Sequence, residues 1–445
     1  MKTLTLFCLV FFTVSISFCQ NSNALEAIRS QMRIDATDNM IDKWYPLVLD
    51  YEHGGYFSEI TYDFKLGEMH NKMIVTQARH IWTCSLTAEF FSDRDDYLNY
   101  AAHGFKFLKE VMWDQKFGGF YNLVSKEGKP IAKKGEEKTA YGNSFALYGL
   151  AAYYRVSKDE QALELAKKTF LWLEEHSHDP INKGYYQSLN RDGSPILRDS
   201  TFDSTSEIGY KDQNSSIHLL EAFTELYKVW PEKLVAERLE ELLLLIRNTI
   251  VNDRNYMNLF FEPDWTPVTF NEETKDIIKK HYYLDHVSFG HDVEIAYLML
   301  EASEILKRKD TEETLLKGKM MVDHAIENGW DKAFGGFYDG GYYFGADQSL
   351  TIVNSDKNWW SQAEGLNTLL IMQHHFPNDS HNYGVYFNHL WEYVNTFFMD
   401  DRYGGWYEWG QDSKPETKNN LKGHVWKANY HNFRALINCL KLLEE

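Results

Sequence analysis

DQKFGGFY, from Asp114 to Tyr121, is one of six places where an Asp is followed four or five residues later by a Gly-Gly-aromatic pair or a degraded form of it. The others are DYEHGGYF from Asp50, DPINKGYY from Asp179, DRNYMNLF from Asp253, DKAFGGFY from Asp331 and DDRYGGWY from Asp400. Successive aspartates lie 64, 65, 74, 78 and 69 residues apart, so one supersecondary unit recurs six times. Each copy follows an amphipathic stretch, such as 97–112 (YLNYAAHGFKFLKEVM), whose apolar residues recur at three- and four-residue spacing. Each precedes a second helical stretch that is apolar nearly all round, as in Ser144–Tyr154, Val293–Ile305 and Ala428–Leu443. A one-sided helix packs on a surface; an all-round apolar helix is buried on both faces. Six of each predict a closed double ring, an all-α (α/α)6 barrel, with an open helical solenoid as the competing architecture. The Gly-Gly-aromatic segment suits a tight turn into a short strand, read as a β-hairpin joining two helices at one end of the barrel.

No linker or low-complexity run interrupts the repeat, so residues 20–445 read as a single domain. Residues 1–19 differ. Lys2, an apolar run from Leu4 to Val14 and the ending Ser17-Phe18-Cys19 have the layout of a secretory signal peptide cleaved before Gln20, which predicts a periplasmic or secreted protein. Acylation of Cys19, as in a lipoprotein, is the alternative. Cys84 and Cys439 fall in helical stretches and imply no disulfide framework.

The net charge of −19 argues against nucleic acid and anionic membranes, and for uncharged or weakly charged partners. An aromatic content of 16% suits both a helical core and sugar-stacking surfaces. Cys-x-x-Cys, His-Glu-x-x-His, Walker and dinucleotide-binding motifs are all missing from the sequence, so no metal or cofactor is expected. Monomer and homodimer both stay open.

Polar residues interrupt the inner helices near their starts: Arg79, Tyr141, His218, His291, Glu364 and His431, one per unit. In a closed ring these starts line one mouth. Singly each has a structural explanation, such as Arg79 paired with a buried carboxylate or His218 bonded within the core. Six at one axis point to a site. In FGHDVEIAY, Asp292 can stabilise the helix start and Glu294, one turn beyond His291, can hold its imidazole.

Six segments carry a resemblance: QARHIWT at 77–83, YGNSFALYGL at 141–150, NSSIHLLEAFTELY at 214–227, SFGHDVEIAYL at 288–298, NWWSQAEGL at 358–366 and WKANYHNFRAL at 426–436. They resemble the N-acylglucosamine 2-epimerase family, and within it the cellobiose and mannobiose 2-epimerases, over residues 25–445. The resemblance implies that His291 and His431 are the catalytic bases, that His218 assists at the sugar ring and that Arg79 holds the C1/O2 region. It implies that Glu294 and Glu364 tune the histidines, and that Tyr141, Asn214, Trp359, Trp360 and Trp426 shape the sugar pocket. The chain departs from the disaccharide epimerases at Tyr297, where they usually carry Trp, and at Asn429-Tyr430-His431, where they carry Pro-Tyr-His. A charged insert, NEETKDIIKKHYY, also precedes His291.

The residues suit C2 inversion of a reducing sugar. Imidazole serves as acid and base near neutral pH, and an arginine supplies fixed charge to an enediolate. Reprotonation at C1 would make the enzyme an aldose–ketose isomerase. A glycoside hydrolase using Glu207, Glu294 or Glu364, and a glycan-binding protein without turnover, are the rival readings.

Overall fold

A computed structural model describes residues 25–132, 137–345 and 349–444. The expected signal segment, with Cys8 and Cys19, lies outside them. Six inner helices, Ile74–Phe90, Ala140–Ser157, Gln213–Val229, Phe289–Ile305, Trp359–His375 and Tyr430–Glu444, each pack on the next, and the last closes on the first. Outside stand 25–44, 96–112, Glu160–His176, 233–250, Thr311–Gly329 and Tyr383–Phe397. The chain folds as an (α/α)6 barrel, with little sheet.

The two rings follow from side-chain distribution. Ala140–Ser157 is buried from Ala140 through Tyr153 except at Tyr141, whereas Glu160–His176 buries one stripe that includes Ala162, Ala166, Thr169, Phe170 and Leu173. Burial on two faces pushes the first inward; a single stripe keeps the second outside. Caps fix where the inner helices begin. Thr139, Asp212 and Asn358 each accept a hydrogen bond from a first-turn N–H, at Gly142, Ser215 and Ser361.

The repeat is a tight turn closed by one antiparallel bridge per unit: Leu49 with Tyr56, Trp113 with Phe120, His178 with Tyr185, Val251 with Met257, Trp330 with Phe337, and Met399 with Trp406. Gly118 and Gly119 sit at φ of 68° and 67°, and a Cβ on Gly119 would meet the Trp172 ring at 2.7 Å. Glycine is required there by both backbone and contact. Short hairpins follow the turns between the two helices of a unit, with Val124 bridging Pro130, Leu189 bridging Pro195, Phe261 bridging Pro267, and Gly340–Tyr343 pairing with Leu350–Asn354, and their strands also pair from unit to unit. Lys72–Met73 pairs with Leu123–Val124, Lys138–Thr139 with Ser188–Leu189, and Lys211–Asp212 with Phe260–Phe261, so short strands staple neighbouring units together around the mouth.

The repeating Asp also has a buried partner. Lys72 donates to Asp50 at 2.8 Å, Lys138 to Asp114 at 3.2 Å, Lys211 to Asp179 at 2.8 Å, Lys357 to Asp331 at 2.6 Å and Lys422 to Asp400 at 2.8 Å. In the fourth unit the turn is one residue shorter, and the position belongs to Asn252, not Asp253. Asn252 N–H donates to Tyr256 O, its side chain accepts from Arg254 N–H, and Val287 stands at the strand position that carries Lys elsewhere. Charge is lost on both sides together.

Among the described residues, no helix is long and apolar enough to cross a membrane.

Candidate active site

Helical periodicity gathers the polar residues. Arg79, His218, Glu294 and Glu364 are each the sixth residue of an inner helix, and Phe145 is the sixth of another. Tyr141 and His431 are second residues, His291 a third, and Glu221 and Tyr297 ninth ones. These positions share the stripe facing the barrel axis. The fourth residue points sideways at the repeat turn: Gln77, Asn143 and Gln362 accept from the N–H of Tyr56, Phe120 and Phe337 at 2.8–2.9 Å. Asp292 occupies this place and accepts from Met257 N–H at 2.9 Å, so it pins a turn and stands off the axis.

His291 and His431 both pack on the indole of Trp360, with ring centroids 4.6 and 5.9 Å away. Behind His431 stands Glu364, whose Oε1 lies 2.6 Å from Nδ1. Behind His291 stands the Ser288 hydroxyl, 2.7 Å from Nδ1. The expected support of His291 by Glu294 is replaced by this serine, because Glu294 turns toward the last inner helix and lies 4.0 Å from His431 Nδ1. Burial holds His291 down to about 3, helped by the charges of His218 and His286. It also holds His431 well below the usual imidazole value, helped by Arg79 and Arg434. Both rest as neutral bases at neutral pH.

Arg434, one turn after His431, organises the carboxylates. Its Nη2 donates to Glu364 Oε1 at 2.7 Å and to Glu294 Oε1; its Nη1 donates to Glu221 Oε1. Glu221 also receives the Tyr430 hydroxyl at 2.6 Å and lies 2.9 Å from His218 Nδ1. A continuous buried chain therefore runs His218–Glu221–Arg434–Glu364–His431. Burial opposes the charge on Glu221, yet Arg434 and His218 bring that carboxyl down to about 2. Burial, then the charge of Glu364, pushes Glu294 up to about 7. Burial raises Glu364 too, against the pull of Arg434. Glu294, Glu364 and His431 offer atoms within 4.8 Å of one another, a spacing that suits a metal ion, but Arg434 already supplies the cation there.

Arg79 lies with its guanidinium carbon 4.3 Å from the Phe145 centroid and 5.0 Å from that of Tyr430, and donates to Tyr141 Oη at 3.3 Å. Its Nε is buried with no partner among the described residues. Tyr141 packs on His218 at 5.3 Å, and Asn214 is within hydrogen-bonding reach of its hydroxyl. Trp359 is buried above Lys427, at 5.4 Å, and Trp426 is 51% exposed beside His424. The structure thus brings Arg79, Tyr141, Asn214, His218, His291, Trp360, Glu364 and His431 around one mouth, with Glu294 beneath. Among the described residues, no ring contact or hydrogen bond ties Trp359 or Trp426 to the two histidines. Arg434, Ser288 and Tyr297 are the additions. Arg434 lay in the quoted segment WKANYHNFRAL, three residues after His431, and that spacing alone could have singled it out.

Residues 55–435 match the family model for N-acylglucosamine 2-epimerase. The chain is 27% identical over 426 residues to cellobiose 2-epimerase from Bacteroides fragilis, covering 94% of this chain and 100% of that one. It is 24% identical over 405 residues to D-mannose isomerase from Marinomonas mediterranea, covering 90% and 94%. The solved structure of cellobiose 2-epimerase from Spirochaeta thermophila superposes with a TM-score of 0.78 at 27% identity, covering 95% of this chain and 98% of that one. The family-model match over residues 55–435, most of the barrel, makes this chain a member of the N-acylglucosamine 2-epimerase family.

Proposed function

We propose that the protein inverts C2 of a reducing-end aldose, in a disaccharide of the cellobiose or mannobiose type or a related hexose, by proton transfer between two histidines. The observation that carries this reading is the pair of imidazoles, His291 and His431, packed on one Trp360 ring at the mouth. After ring opening, one imidazole nitrogen takes the C2 proton, and the C2–H electrons move toward C1, leaving a cis-enediolate with charge on O1. Arg79 offers a fixed cation to that oxygen. The opposite histidine, protonated by the O1 hydroxyl as the ring opens, delivers that proton to the other face of C2 and restores the aldehyde with inverted configuration; the first imidazolium returns its proton to O1 when the ring closes.

Incubation with cellobiose, mannobiose and free hexoses in deuterated water tests this. Deuterium at C2 with an intact glycosidic bond and a 2-epimeric product is expected; a cleaved bond, or no exchange in any sugar, sinks the proposal. Glu294 and Glu364 share one guanidinium beneath the histidines, a poor arrangement for two carboxylates that must flank a glycosidic bond.

Aldose–ketose isomerisation is the second reading. Similarity to D-mannose isomerase favours it, since the same enediolate protonated at C1 gives a ketose. Ketose in the product mixture would identify it.

A further inference from the structure

We propose that Tyr297 is a positioning residue: its hydroxyl fixes Glu364 as an ionised acceptor for His431 Nδ1–H, leaving the Nε2 lone pair of His431 to meet the sugar. This rests on the two-histidine reading above. Tyr297 is fully buried, at 1% exposure, and its hydroxyl donates to Glu364 Oε2 at 3.0 Å. The other oxygen of the same carboxylate takes Arg434 Nη2 at 2.7 Å and faces His431 Nδ1 at 2.6 Å. A carboxylate held at both oxygens keeps its plane, and while ionised it can only accept. The proton in the His431–Glu364 contact then belongs to Nδ1, which fixes the tautomer. A protonated Glu364 could donate to Nδ1 and place the ring proton on Nε2, leaving no lone pair for the substrate.

The groups facing Glu364 are Arg434, His431 and Cys439 from the last inner helix, Glu294 and Tyr297 from the fourth, and Glu221 from the third. Arg434 favours the charged form and the two glutamates oppose it. The Tyr297 hydroxyl adds a neutral donor on the charged form's side. Removing it raises the pH at which Glu364 ionises.

Tyr297→Phe deletes one oxygen and keeps the ring. We expect kcat to fall at least tenfold with KM within twofold, and the acid limb of the kcat profile to move to higher pH by half a unit or more. Imidazole 15N spectra, with the His431 signals assigned by their loss in His431→Gln, should show the Nδ1–H tautomer in the unaltered protein and a mixed state in Tyr297→Phe. The spectra need no substrate, so they stand even if no sugar exchanges its C2 proton. An Nε2–H tautomer in the unaltered protein overturns the proposal without any variant. So do an unchanged kcat and pH profile in a folded Tyr297→Phe, or a loss confined to KM.

Discussion

Two histidines that meet one indole differ in what stands behind them. His431 has the carboxylate of Glu364 and His291 the hydroxyl of Ser288. His291→Ala and His431→Ala should each lower C2 deuterium exchange by about 10²–10⁴-fold, the usual reach of a general base, with circular dichroism unchanged. Exchange within tenfold of normal in either variant removes that ring from the reaction. Glu294 makes a separate prediction about stability. Its carboxyl is raised from 4.5 to about 7, so the folded protein holds a proton that the unfolded chain gives up. The resulting stabilisation is complete below pH 4.5 and lost as pH rises through 7, by roughly 3 kcal/mol. Glu294→Gln should therefore lose stability less steeply than the parent across that window in urea titrations; parallel curves would show that Glu294 does not titrate there. Most of these residues could be read from sequence, because polar side chains near the starts of apolar helices stand out. The partner of His291 could not, since Ser288 and Glu294 both stand three residues from it, and only packing sends Glu294 to Arg434 and leaves the serine at the ring.

The repeat turn combines the chain's most regular motif with a buried ion pair. Asp50 shows it most simply: Oδ1 accepts from Glu52 and His53 N–H, and Oδ2 from Lys72 Nζ, which also donates to the carbonyls of Gly54 and Lys126. Removing one partner strands a buried charge, which costs about 3–5 kcal/mol. Removing both need not, and the fourth unit already holds Asn252 and Val287 in the two places. Lys72→Met should thus destabilise by several kcal/mol, while Asp50→Asn with Lys72→Val should recover much of the loss in chemical denaturation. A double variant as unstable as the single one would mean that the lysine acts by tying carbonyls and not by neutralising Asp50. The aspartate and its glycines were plain in the sequence. The lysine was not, because it sits 22 to 32 residues downstream at a spacing that varies from unit to unit. The pairing of short strands between units was equally hidden: Lys72 pairs with Val124, and no local pattern marks a contact of that range.

The six-fold count carried the architecture, since alternate one-sided and all-round apolar helices have few ways to satisfy both faces except a double ring. Closure itself is a tertiary fact, and it rests on the last inner helix, Tyr430–Glu444, packing against the first, Ile74–Phe90. That seam also joins the two ends of the proposed site, with Arg79 on one side and His431 and Arg434 on the other. Each side carries one buried thiol, Cys84 and Cys439, and both are pushed far above the usual thiol range by burial. A buried, protonated thiol reacts with a maleimide only when its surroundings open. If the ring unfolds as one cooperative body, Cys84 and Cys439 should label at the same rate, and that rate should rise with urea along the global unfolding curve. If the seam opens first, Cys439 should label early and with weak dependence on urea, because detaching one terminal helix exposes far less surface than unfolding the barrel. Mass spectrometry of the labelled peptides separates the outcomes. Equal rates are expected, because the Arg434 chain ties the last helix to the third, fourth and fifth inner helices through Glu221, Glu294 and Glu364, so it cannot leave without stranding three buried carboxylates.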